Sequence, residues 1–228
     1  MNERVAKLRA QSVNTKPYIS AERAELITDF YQSGITMEFS PPVVRGLALN
    51  YIMSRKHICI NDGELIVGER GPAPKATYTY PELCCHTLED FDIMARRTRT
   101  SFDVSEDVKK VYKEKIIPFW KGKTMREKVF AAMSEDWHRA FEAGIFTEFM
   151  EQRAPGHAIL DDKIYRKGLL DLQDEISQSI RSLDFYGDAE AHTKLQELKG
   201  MKLAIDAVLT LARRYAEKAQ QLAQSESD

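Results

Sequence analysis

No run of apolar residues in this chain approaches the roughly 18–20 that crossing a bilayer takes. Charges punctuate the first twenty residues, MNERVAKLRAQSVNTKPYIS, where a secretory leader would carry an apolar block. Cysteine is scarce and odd in number: Cys59, Cys84 and Cys85, two of them adjacent. Neighbouring cysteines rarely bridge each other, so the staples of a small secreted domain are missing. Surplus charge is lacking too. The 33 basic and 35 acidic side chains leave a formal charge of −2. That is not the cationic footprint that nucleic acid or an anionic membrane surface attracts. A glycine-rich nucleotide loop, a Ser-His-Asp order and a metalloprotease helix motif are also absent. What remains reads as a reduced, cytoplasmic chain of 228 residues, 43% of them apolar, with material for a core.

Helical periodicity is present in quantity. Val5, Leu8 and Val13 share a side of a short helix over residues 2–13. Ser20 is placed to cap AERAELITDFYQ, whose apolar face is Leu26, Ile27, Phe30 and Tyr31, and Gly34 ends it. Ser40-Pro41-Pro42 opens a helix through Arg55 with Val43, Val44, Leu47, Ala48, Tyr51 and Ile52 as its face. The pattern then changes. HICINDGELIVG sets two β-prone runs around Asn61-Asp62-Gly63 and predicts a hairpin. ERGPAPKATYTYPEL predicts an irregular connection.

Helices resume with two capping-box patterns, Thr87-Leu-Glu-Asp90 and Thr124-Met-Arg-Glu127. Ser105 is placed to cap a helix that stops near Pro118, and Ser134 one that stops at Gly144. Long helices are expected over about 162–183 and 189–224. The second carries a seam of Leu195, Leu198, Met201, Ile205, Val208, Leu209, Ala212 and Tyr215. The expected architecture is mainly α, with one small β-hairpin and long loops at 69–86 and 144–161.

Two constellations carry chemistry. Cys84-Cys85-His86, with Cys59 and His57, admits a metal site or a Cys–His nucleophile. Adjacent cysteines aim poorly at one ion, and no orienting partner stands at a telling distance in sequence. The plainer reading is small, partly buried residues before a helix cap. His138 and His192 read as surface residues on helices. The second constellation is EFMEQRAPGHAILDDKIYRKG, residues 148–168. Pro155-Gly156 turns the chain beside His157, Arg153 offers a two-point carboxylate clamp, and Phe149 offers an apolar wall. Glu148, Glu151, Asp161 and Asp162 complete it. These residues suit a small substrate with a carboxylate; they equally suit a loop tied down by its own salt bridges.

At this point whole segments resemble a known family. ERVAKLR (3–9), ISAERAELIT (19–28), INDGELIVGERGPAPKATYTYPELCCHTLEDFD (60–92), IIPFWKGKTMREKVF (116–130), AGIFTEFMEQRAPGH (143–157) and LDDKIYRKGLLDL (160–172) are similar to the N-terminal part of glycyl radical enzymes of the pyruvate formate-lyase-like group. FTEFMEQRAPGH followed by DDKIYRKG is similar to the branch that dehydrates trans-4-hydroxy-L-proline. The resemblance implies helices wrapped around a ten-stranded β/α barrel. It implies a glycyl radical installed with S-adenosylmethionine by a separate activating enzyme, a small-molecule substrate, and a homodimer of anaerobic cytoplasm. It implies that Phe149 packs on the substrate ring and that His157 makes a polar contact near the departing hydroxyl, with Glu148 and Arg153 as supports. A sulfonate such as isethionate, a diol or an amino alcohol is the alternative substrate, and a non-catalytic helical interaction module is the alternative from another class.

The resemblance also has a gap. The family's Cys-x-Glu segment and glycine loop have no counterpart here, and none of the 11 glycines stands in a radical context such as RVxGY. The expectation is an incomplete domain over residues 1–228, with no catalytic residue, metal or cofactor of its own. Its helices at 41–55 and 189–224 are then expected to leave apolar faces uncovered.

Overall fold

The structure, a computed structural model, describes residues 2–146 and 161–226. It divides into two compact units, residues 1–28 with 70–156, and residues 29–69 with 157–228.

In the first unit, Asn2 caps helix α1 (Glu3–Asn14) by accepting the Arg4 N–H at 2.9 Å. The helix forms as its periodicity predicts, but none of its residues is buried; Val5 and Val13 are exposed. Strand β1 (Tyr18–Ser20) pairs in parallel with β2 (Ala76–Tyr78), in the register Tyr18↔Ala76 and Ser20↔Tyr78. Part of the expected irregular connection is therefore a strand. Gly71 lets the chain pass close to it: a Cβ there would sit 2.4 Å from that of Ala76.

Helix α2 (Glu22–Gln32) begins in this unit and turns Ala24, Ile27 and Thr28 into the core. Helices α4 (Leu88–Arg96), α5 (Glu106–Val111), α6 (Ile117–Trp120), α7 (Met125–Ala132) and α8 (Glu135–Glu142) follow. Both capping boxes form, and Ser105 and Ser134 cap α5 and α8 through the N–H groups of Val108 and Trp137. Pro118 does not stop the helix. The turn before it, Tyr112–Ile116, widens to a π-helix in which the Ile117 N–H reaches the Tyr112 carbonyl. Widening accommodates a ring that would clash in a regular turn, and the missing proline N–H falls at the new start of α6. Tyr112, Ile116 and Trp120 then share one buried face, and the Tyr112 ring meets Phe91 edge-on at 4.6 Å.

In the second unit, Gly34 takes φ of 79° after α2, a left-handed turn as expected. Helix α3 (Pro41–Arg55) and helix α10 (Ala191–Ser225) make its main contact. Their backbones nearly touch. A Cβ on Gly46 would lie 2.7 Å from the Leu203 Cβ and 2.8 Å from the Gly200 carbonyl oxygen. One on Gly200 would lie 2.6 Å from the Pro42 carbonyl oxygen. The buried line on α10 is accordingly Ala191, Gly200, Ala207 and Tyr215. Of the expected seam, Tyr215 lies on this line, while Met201 and Val208 are rotated off it and exposed. The face of α3 is covered rather than open: Val43, Val44, Ala48 and Ile52 are buried. Ser40 gives its hydroxyl to Gln196 (2.9 Å) instead of capping α3. Arg214 donates to the carbonyls of Met53 (2.7 Å) and Lys56 (2.8 Å) at the C-terminus of α3, where a cation is favoured. Helix α9 (Leu169–Arg181) starts later than expected, because residues 161–165 form a 3-10 turn and Gly168 takes the capping position.

The expected hairpin at 57–68 is the clear departure. Asp62-Gly63 does turn, with the Glu64 N–H on the Asn61 carbonyl at 3.2 Å, but no strands flank it. The Glu64 carboxylate takes up the Asn61 backbone N–H (3.1 Å) and amide (2.7 Å). Leu65 and Ile66 are 78% and 92% exposed, so the run has no covered face to stabilise a two-stranded ribbon.

Two opposing effects meet at the glycine crossing. Alanine at Gly46 or Gly200 gains roughly 1 kcal/mol of helix propensity. Forcing two backbones apart costs roughly 1–3 kcal/mol or more, and the obstructing atoms here are mostly backbone carbonyls. Gly200→Ala is expected to lower the urea midpoint, while Arg213→Ala on the exposed side of α10 leaves it within about 0.5 kcal/mol; a more stable Gly200→Ala chain would overturn the crossing.

Candidate functional site

Phe149 and His157, with Glu148 and Arg153, lie outside the described residues. The elements that lead into and out of that stretch are described. On the entry side, α8 ends where Gly144 takes φ of 71°, with its N–H on the Phe141 carbonyl (2.9 Å) and that of Ile145 on the Ala140 carbonyl (3.0 Å). This left-handed cap returns the chain over its own helix. Phe146 then packs against Trp137 (5.1 Å, edge-on) and Phe141 (5.8 Å), and Phe141 meets Phe130 of α7 at 4.9 Å. A run of four aromatic rings therefore fixes where residue 146 stands. On the exit side, Asp162 pairs with Arg166 at 2.6 Å and Lys167 with Glu175. One acid of the charged stretch is thus a plain surface ion pair, worth little in stability.

Of the cysteine constellation, Cys84, Cys85 and His86 lie in the first unit, around a cleft of about 250 Å³ also lined by Trp120, Lys121 and Arg126, among others, whereas His57 and Cys59 belong to the second unit. The chain that leads into the cleft is held by long-range polar contacts. Arg23 grips both oxygens of Glu82, donates to the Thr79 carbonyl at 3.2 Å, and lies over the Tyr80 ring at 3.9 Å. The first N–H groups of α7 then hold the strand of chain that follows: Met125 donates to the Glu82 carbonyl and Arg126 to that of Leu83, each at 3.0 Å. Behind it, the Trp120 indole donates to the Thr28 hydroxyl (2.9 Å), which donates to the Ala24 carbonyl (2.6 Å). Sequence periodicity missed Thr28 and Arg23. Their partners lie 92 and 59 residues away, and no local pattern marks them.

The cleft lacks the chemistry its residues suggested. Burial, reinforced by Cys84, Glu127 and Asp90, pushes the Cys85 thiol up to about 12. A nucleophilic cysteine needs the opposite shift. His86 offers it no base. Its Nδ1 stands 3.8 Å from the Asp90 carboxylate, its ring tilts against Phe91, and Cys85 points its thiol at the His86 carbonyl. The helix N-termini at the cleft already hold carboxylates of their own. Burial opposes charge on Glu127, but N–H groups of Gly122, Thr124 and Lys123 and the Thr124 hydroxyl outweigh it and hold that carboxyl below its usual range. Among the described residues, no three His, Cys, Asp or Glu side chains converge as a metal site. No helix among them is long and apolar enough to cross a membrane. His192 is exposed as expected, while His138 is half-buried near Phe130.

The family described as Pyruvate formate lyase-like matches residues 1–228. A trans-4-hydroxy-L-proline dehydratase of Clostridioides difficile is 48% identical over 226 residues, which cover 99% of this chain and 28% of the dehydratase. An isethionate sulfite-lyase of Nitratidesulfovibrio vulgaris is 28% identical over 238 residues, 100% of this chain and 28% of the lyase. The crystal structure of hydroxyproline dehydratase from Clostridioides difficile, with trans-4-hydroxy-L-proline bound, matches with a TM-score of 0.92 at 47% identity. That match covers 100% of this chain and 29% of the dehydratase. The chain thus spans 28% of the length of the curated relatives it matches.

The Cys85 thiol can be tested directly. At pH 8 a thiol with a pKa of about 12 is thiolate in roughly one molecule in 10⁴, against about one in four for an ordinary cysteine. Alkylation of Cys85 by iodoacetamide, followed by mass spectrometry, is expected to be at least ~100-fold slower than that of free cysteine and still rising at about pH 10. A rate that levels off near pH 8 would restore the nucleophile.

Proposed function

Because this chain belongs to the pyruvate formate lyase-like family, we propose that it forms the N-terminal portion of a glycyl radical C–O lyase that dehydrates trans-4-hydroxy-L-proline. The observation that carries the reading is its 48% identity to the dehydratase, continuous over 226 residues, against 28% to the sulfite-lyase. The match in structure to the substrate-bound dehydratase supports it.

The glycyl radical would supply the hydrogen-abstracting chemistry. Six of the described glycines have structural roles instead. Gly46 and Gly200 serve a helix crossing, and Gly34, Gly63, Gly122 and Gly144 make left-handed turns. In this reading the radical glycine and its cysteine belong to sequence outside residues 1–228, and the domain is completed there around a β/α barrel. What this chain contributes is scaffold and one wall of the pocket. Phe149 packs on the pyrrolidine ring, and His157 hydrogen-bonds near the 4-hydroxyl that leaves as water, yielding 1-pyrroline-5-carboxylate. Glu148 and Arg153 support that wall. Activation with S-adenosylmethionine by a separate enzyme, a homodimer and the cytoplasm of an anaerobic cell belong to the same reading.

Turnover by the activated full-length protein tests it. Offered trans-4-hydroxy-L-proline and isethionate in parallel under anaerobic conditions, it is expected to consume only the first. His157→Gln is expected to lower kcat by roughly 100-fold or more if the imidazole assists the hydroxyl, and Phe149→Ala to raise KM. Release of sulfite from isethionate, or wild-type turnover by His157→Gln, would contradict the assignment.

A further inference from the structure

The segment Leu65-Ile66-Val67 is a local contradiction. Its residue types favour a strand, and the Asp62-Gly63 turn before it favours a hairpin. Yet Leu65 and Ile66 lie in a bend, both are exposed, and Val67 is 40% exposed. None of the three makes a backbone hydrogen bond among the described residues. The base beneath them is nonetheless firmly built. Just beyond, the Glu69 carbonyl accepts from the buried Lys56 ammonium (3.2 Å) and the Tyr215 hydroxyl (2.8 Å). Just before, Asn61 is tied to the Glu64 carboxylate (2.7 Å). Both ends of a short apolar run are therefore held while its backbone and side chains face solvent. A conflict between local preference and observed conformation on a held base points to a missing partner.

We infer that Leu65–Val67 is a docking segment whose backbone joins a β-strand of the polypeptide that completes this domain beyond residue 228. This rests on the reading of the chain as the N-terminal portion of a longer enzyme. Two arguments favour that occupant. The relatives carry more than two thirds of their length outside the matched region, so the covering chain is large. Strand addition satisfies the N–H and C=O groups along one edge of the run, which a helix laid over it would not.

Hydrogen–deuterium exchange of the amides of residues 65–67 tests the inference, in the 228-residue chain and in the full-length protein. In the chain alone these amides are expected to exchange like an unstructured peptide; in the full-length protein the alternate amides that face the added strand, 66 alone or 65 with 67, are expected to exchange at least ~100-fold more slowly. Equal exchange in the two would overturn it. Protection that grows with concentration of the 228-residue chain alone would also overturn it, by giving the strand to a second copy. Because exchange is read without substrate, a full-length protein that is protected here but leaves hydroxyproline untouched would fault the substrate assignment and not the docking.

Discussion

Two helix backbones that meet without side chains between them determine the second unit. At Gly46 and Gly200 the carbonyls of one helix occupy the space where the other would carry a Cβ. The contacts that follow run in the same sense along both helices, Pro42 with Gly200 and then Met53 and Lys56 with Arg214. That places Arg214 and Tyr215, roughly 21–23 Å further along α10, at the end of α3 and the start of the loop after it. The guanidinium closes off carbonyls that the helix leaves open, and the phenol holds Glu69. The exposed run at 65–67 thus leads directly into a point fixed by these contacts.

The first unit rests on polar contacts between distant segments. Thr28 with Trp120, Tyr112 with Thr79, and Arg23 with Glu82 each join parts of the chain that periodicity treats separately. All three involve buried or half-buried groups, so removing one partner strands the other at a cost of roughly 1–3 kcal/mol. Together they seat Cys85 in a scaffold that keeps its thiol protonated. The same unit ends its described part in the Phe130–Phe141–Phe146 ring contacts. The wall proposed to carry Phe149 and His157 therefore departs from a firm point.

Much of the helical architecture is legible in the sequence because caps and apolar spacing are local. Thr87 with Asp90 and Thr124 with Glu127 declare their helices within four residues, and both boxes form. What is not legible depends on a neighbour. The seam of α10 follows its small residues, because close approach to α3 decides which side is inward. Pro118 reads as a stop until a widened turn accommodates it. Asp62-Gly63 reads as a hairpin because its residues suit one, and the pairing that would complete it is absent among the described residues. The candidate site was legible only through resemblance. Glu148, Phe149, Arg153 and His157 are ordinary residue types whose polar spacing fits a salt-bridged loop as well as a pocket.

The central claim is that this chain is one part of a radical enzyme and does not hold the radical itself. Electron paramagnetic resonance tests it most directly. The 228-residue chain and the full-length protein are each incubated anaerobically with the activating enzyme and S-adenosylmethionine. A glycyl radical signal from the full-length protein, and none from the 228-residue chain, is the expected result. A glycyl signal from the 228-residue chain alone, or none from the full-length protein under conditions that activate a related dehydratase, would contradict it.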